Sequence, residues 1–102
     1  MSSRVKIRMR YEGQGWNPFG IVESIYVDDQ LIGQSTEKRF VLTAEVDVGS
    51  HKITCTNTNP KSGVHSRVLN FPSPGLYEVS CRVHTWSGLV ISDPEKLADS
   101  AV

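Results

Sequence analysis

Cysteine is scarce in this chain, with only Cys55 and Cys81 among 102 residues. That excludes a disulfide-dense scaffold. Metal-ligand spacing is also missing. There is no Cys-x-x-Cys or His-x-x-x-His, and His51, His65 and His84 stand far apart. Zinc needs four convergent nitrogen, sulfur or oxygen ligands, so no native metal site is expected. Asp28-Asp29 reads as a turn pair, because calcium takes six or more oxygens. No Gly-x-Ser-x-Gly elbow, Walker motif or dinucleotide fingerprint occurs, and Gly13-x-Gly15 is too short to cradle a phosphate. No cofactor is expected.

Charge of one sign is lacking too. Eleven Lys and Arg balance eleven Asp and Glu, which argues against a dedicated nucleic-acid binder. No apolar run approaches the roughly 20 residues of a membrane-spanning helix. The N-terminus alternates cations with apolar residues and forms no signal-peptide h-region. No Asn-x-Ser/Thr sequon is present. Together these absences predict a cytoplasmic chain.

What the sequence does have is period-two alternation, the mark of half-buried strands. Val5, Ile7, Met9 and Tyr11 share one face of segment 4–11, opposite Arg4, Lys6, Arg8 and Arg10. Segment 21–28 is rich in Ile, Val and Tyr. Asp28-Asp29-Gln30 turns it into a short strand, Leu31-Ile32, closed by Gly33. Phe40, Leu42 and Val46 face inward over 38–46, and Val48-Gly49-Ser50 marks a turn. Ile53 and Cys55 then oppose Lys52, Thr54 and Thr56. Residues 57–63 form the clearest loop. Segment 64–71 reads as a strand of ambiguous facing, and Pro72-Ser73-Pro74-Gly75 forces a bend. Tyr77, Val79, Cys81 and Val83 oppose Glu78, Ser80, Arg82 and His84, and a turn near Ser87-Gly88 leads to Leu89-Val90-Ile91. Ser92-Asp93-Pro94-Glu95 carries helix-cap signals and predicts a short helix over 94–99 or a disordered tail.

Short strands separated by turn signals every 8–12 residues or so indicate a sandwich or barrel. The expectation is all-β: an immunoglobulin-like or related antiparallel β-sandwich of seven to eight strands over 1–92. Residues 93–102 would form the helix or tail.

Ile25-Tyr26-Val27-Asp28-Asp29-Gln30-Leu31-Ile32-Gly33 and Val48-Gly49-Ser50-His51-Lys52-Ile53-Thr54 resemble PEGA-type and related small bacterial β-sandwich modules. Their pattern is a V-x-V-D-G-x-x-x-G hairpin followed by G-x-H-x-I. The resemblance covers residues 25–55, with Asp29 standing where those modules usually have glycine. It implies a structural or accessory role and no catalytic residues.

Among candidate chemistry, His51 and Cys55 share a strand face but lie about 13 Å apart along it, too far to pair. Both cysteines sit on apolar faces and read as small core hydrophobes, with a disulfide between facing strands as the alternative. Arg4, Lys6, Arg8 and Arg10 form a cation ladder with a spacing of about 6.7 Å, able to track an anionic backbone. The competing readings are an edge strand charged against aggregation, or pairing with Glu23, Glu45 or Glu78. In loop 14–20, Trp16 and Phe19 stand beside Asn17. With Trp86 they could form an aromatic ligand-binding platform, or they could close one end of the core.

Three functional classes follow. The first, preferred here, is a non-catalytic structural or protein-interaction module. It would act on a protein partner or on its own copy through a sheet edge. The alternative is a carbohydrate- or small-ligand-binding module using loop 14–20. Enzymatic and nucleic-acid-binding readings come last.

Overall fold

A computed structural model of the chain describes residues 4–13, 22–37, 39–57, 64–84 and 88–99. Nine strands run in order: β1 Arg4–Glu12, β2 Glu23–Val27, β3 Gln30–Ser35, β4 Arg39–Asp47, β5 Gly49–Asn57, β6 Val64–Phe71, β7 Gly75–His84, β8 Gly88–Ile91 and β9 Glu95–Ala98. One sheet has the order β4-β1-β7-β8, with β9 also on β7; the other is β3-β2-β5-β6. The described residues form an all-β sandwich of nine strands, one more than the upper expectation. In the immunoglobulin arrangement the first two strands share a sheet. Here β1 and β2 lie in opposite sheets.

All pairings are antiparallel except one. β1 runs parallel to β7, with Ile7 opposite Tyr77, Met9 opposite Val79 and Tyr11 opposite Cys81. On its other side β1 pairs with β4. The edge-strand reading of β1 is therefore wrong: both of its sides carry ladders, because its apolar face is needed at the middle of the sheet.

The alternation seen in the sequence becomes the core. Val5, Ile7, Met9, Tyr11, Val79 and Cys81 from one sheet meet Ile25, Ile53, Cys55 and Phe71 from the other, all at most 1% exposed. Tyr11 stacks on Phe40 at 5.0 Å between centroids, and Phe71 meets Tyr77 edge-on at 5.1 Å. Cys55 and Cys81 are free thiols that hydrogen-bond across the core. That bond, together with burial, pushes the Cys55 thiol well up.

The sheets also meet along their sides. At Gly33 a Cβ would come within 2.9 Å of Leu42, so the lack of a side chain lets β3 lie against β4. On the opposite side, Arg67 of β6 donates from Nη1 to the Ile91 carbonyl at 2.9 Å and pairs with Asp93.

The helix expected over 94–99 is not there. Residues 95–98 form β9, because β7 is long enough to hold β8 at one end and β9 at the other. A helix of six residues hardly repays its nucleation cost, whereas the open flank of β7 offers ready backbone partners. Ser92 carries the ladder across the gap: its amide donates to the Ser80 carbonyl at 2.8 Å, and its Oγ accepts the Ser80 amide at 2.9 Å.

Gly75 permits this doubling. Its φ is +150°, and a Cβ there would lie 2.4 Å from the Ala98 carbonyl oxygen. Gly75→Ala should cost about 1–3 kcal/mol in chemical denaturation. It should also deprotect the amides of 95–98 in hydrogen exchange more than those of β5. Unchanged protection at β9 would contradict this account.

Candidate interaction surface

The outer faces of the two sheets differ in kind. On the β4-β1-β7 face, Arg4 pairs with Glu45 at 3.8 Å and Asp47 at 3.4 Å. Arg8 and Arg10 share Glu78 at 3.8 and 3.4 Å. Arg10 also reaches Glu12, which Arg82 approaches from the other side, both at 3.3 Å. Lys6 stands directly opposite Glu45 in the register. The cation ladder is thus real, and acids on neighbouring strands answer it. Such exposed pairs add little stability, about 0–1 kcal/mol each. Their effect is to leave a mixed-sign face, on which a phosphate chain would have to displace Glu78 and Glu45. Glu23 does not join them. It lies on β2 in the other sheet and is buried.

The outer face of β3-β2-β5-β6 carries almost no charge. Its rows follow from the pairing. Val68 lies beside Lys52; Ser66 beside Thr54, Tyr26 and Leu31; Val64 beside Thr56, Ser24 and Gln34. The single charged side chain in those rows, Lys52, is held by Asp29 at 2.6 Å. The hydroxyls satisfy each other laterally: Thr54 Oγ1 and Ser66 Oγ are 2.9 Å apart, and Ser24 Oγ donates to Gln34 Oε1 at 3.3 Å. Large apolar side chains stand at the two margins. Val64 is 69% exposed, Val68 66% and Leu31 48%. Residues 64–68 of β6 are exposed in both phases of the alternation. That is why the sequence left their facing ambiguous.

The hairpin 25–33 and the segment 48–54 touch. Asp28 and Asp29 both have positive φ, 50° and 68°, making the mirror-image turn that a two-residue hairpin favours. Asp28 Oδ1 accepts the Lys52 amide at 2.9 Å. His51 Nδ1 meets Asp28 Oδ2 at 2.5 Å, and its Nε2 meets the Asp47 carbonyl oxygen at 2.7 Å. With an acceptor at each nitrogen, both must carry protons, so this geometry selects the imidazolium. Burial works against that charge. The hydrogen bonds to Asp28 and to the Asp47 carbonyl, with the attraction of both carboxylates, outweigh it and raise the His51 pKa. The hydrogen bond from His51 is the main cause lowering that of Asp28.

Trp16, Asn17, Phe19 and Trp86, the candidate ligand platform, lie outside the described residues. Among the described residues, no three His, Cys, Asp or Glu side chains are grouped to hold a metal, and no helix is long and apolar enough to cross a membrane. No family model matches the chain, and no curated protein or solved structure matches it.

Two outcomes test the electrostatics. His51, raised when folded, stabilises fully below its unfolded value near 6.5, and that contribution fades as pH rises through the folded value. Asp28, lowered, contributes above its unfolded value near 3.9 and is lost as pH falls through the folded one. The difference in Tm between the wild type and His51→Gln should therefore be largest from about pH 4 to 6.5 and shrink toward pH 9. A constant difference across that range would contradict the clip.

Glu23 is raised by burial, against a smaller lowering by its own backbone hydrogen bond, and its Oε2 has no partner. Its folded form thus prefers the proton, and stability falls as pH rises through the folded value. Glu23→Gln should raise Tm at pH 7, with the gain vanishing near pH 4. A lower Tm at pH 7 would show that the carboxylate is needed charged.

Proposed function

We propose that the chain is a non-catalytic structural or protein-interaction module that works through the uncharged outer face of β3-β2-β5-β6 and its β6 margin. The observation that carries this reading is the contrast between the two faces. One is covered by cross-strand ion pairs. The other presents Ser, Thr, Tyr and Val with one neutralised lysine. Charged residues are disfavoured at the centres of protein interfaces, while tyrosine is enriched there.

The state of the reactive side chains supports the non-catalytic part. Cys55 and Cys81 are both buried, and the Cys55 thiol, pushed up by its hydrogen bond with Cys81 and by burial, is a poor nucleophile. His51 has both ring nitrogens committed to structural acceptors. Free core thiols also suit a reducing compartment, in keeping with a cytoplasmic location. The PEGA-like hairpin and its histidine, joined through Asp28, favour an accessory role of the kind those bacterial modules have.

The experiment is site-specific photocrosslinking in lysate of the source cells. A photoreactive phenylalanine analogue replaces Tyr26 at the middle of the uncharged face, or Thr43 on the charged one. Discrete protein adducts from position 26 and none from 43 are expected. No adduct from position 26, or equal labelling from both, would sink the proposal.

A further inference from the structure

We infer that the partner met by β6 is a second copy of this chain, joined antiparallel along β6 about a two-fold axis at Ser66. The inference rests on the interaction reading above and narrows it to one occupant.

The direction of the β6 backbone groups comes first. The Asp28 amide donates to the Lys52 carbonyl, and Asp28 Oδ1 accepts the Lys52 amide, both at 2.9 Å. Lys52 therefore turns its backbone groups toward the β2–β3 hairpin. Along a strand these directions alternate. Lys52, Thr54 and Thr56 face β2, while His51, Ile53 and Cys55 face β6. Their register partners Leu69, Arg67 and His65 answer them. The N–H and C=O groups of Val64, Ser66 and Val68 are left pointing away from the sheet, along its edge.

The pattern of side chains comes second. Val64-His65-Ser66-Arg67-Val68 is symmetric about Ser66 in its outward positions. A two-fold axis there places Val64 against Val68 of the second copy, Ser66 against Ser66, and Val68 against Val64. Among the described residues no strand lies beyond β6 to take the backbone groups of these three, so hydrogen-bond phase and side-chain pairing agree. Two valines that are 69% and 66% exposed in one copy become cross-strand Val–Val pairs, which stabilise an antiparallel ladder. The inward-phase cation of the segment, Arg67, is already neutralised by Asp93 and the Ile91 carbonyl. A closed two-fold contact of this kind has the same patch on both subunits.

Edge protection comes third. Long exposed edges usually carry lysine, proline or a bulge against pairing. β3 has a bulge opposite Ile25/Tyr26 and the margin at β9 another at Leu76/Tyr77. β4 carries outward Arg39, Glu45 and Asp47. β6 pairs with β5 without a register shift and has no lysine or proline in its span. β8, the remaining edge, is only four residues long, which itself limits pairing, so β6 is the long edge left without such protection among the described strands.

Sedimentation velocity on the full chain across the micromolar range provides the test. A reversible dimer is expected. Val64→Lys with Val68→Lys, which sets like charges opposite each other twice, should raise its dissociation constant at least about tenfold. In a second measurement, Ser66→Cys is treated with diamide. The two introduced thiols lie on the axis and should give a covalent dimer far faster than Val41→Cys on the β4 edge. A wild-type monomer throughout the range, or equal crosslinking at both positions, overturns the inference. Should position 26 still form adducts with other proteins in that event, the interaction face stands and only the second copy is lost. Absence of those adducts removes the interaction reading itself.

Discussion

The parallel ladder between β1 and β7 is the contact on which the sandwich depends. It joins residues 5–12 to residues 75–82, segments far apart in the described chain, and each of the other strands of that sheet hangs on one of the two. Its phase sets what is inside. With Ile7 opposite Tyr77 and Met9 opposite Val79, Val5, Ile7, Met9 and Tyr11 of β1 and Tyr77, Val79 and Cys81 of β7 enter the core, and Arg8 meets Glu78 outside. A slip of one residue would carry four cations inward. Burying them unpaired would cost far more than any surface ion pair returns. The register is thus fixed by exclusion as much as by attraction. A ladder so distant in sequence must also close a long loop before it is rewarded, which favours slow folding.

That phase also divides the surface. The strands that fix the register need charge on their outer faces to keep the apolar faces inside, and the same charges neutralise one another across β4, β1 and β7. The second sheet reaches its register by another route, through the Asp28 clip and the hairpin turn, so its outer face has no need of charge. Threonine and valine suit such a pleated surface because their branched side chains pack well across strands. The uncharged face follows from the way the second sheet is held in place.

The sequence made the strands legible because period two survives wherever one face is buried. Segments 4–11, 39–46, 51–56 and 76–82 lie as their alternation indicated. It failed where burial does not enforce the period. Residues 64–68 overhang the core and lack a hidden face, so their valines could not be assigned. Residues 94–99 carry true capping signals, but local propensity there yields to the vacant flank of β7, a feature set by a strand's length and visible only in three dimensions. The cation ladder was readable, whereas its central position was not, because an alternating strand looks the same with one neighbour or two. The uncharged face had a signal in retrospect. Outward positions 24, 26, 54, 56, 64, 66 and 68 are all neutral, but they become one surface only when the β2-β5-β6 order is known.

The Asp28 clip ties these levels together. Two consecutive aspartates at positive φ are a costly way to make a hairpin, since left-handed backbone disfavours side chains other than glycine. The turn is kept because Asp28 caps the Lys52 amide and receives His51, while Asp29 holds Lys52. These contacts set where β2 meets β5, and hence which backbone groups of β5 face β6. They therefore decide which groups of β6 are left over at the edge. A strained turn on one side of the sheet thus determines that Val64, Ser66 and Val68, and not His65 and Arg67, offer their hydrogen bonds to whatever lies beyond. Had the phase been the other, the outward-reaching backbone would belong to residues whose side chains face the core, and the exposed valines would sit out of step with the groups that could pair them. The agreement of the two at β6 is what makes that edge an interface rather than a bare margin.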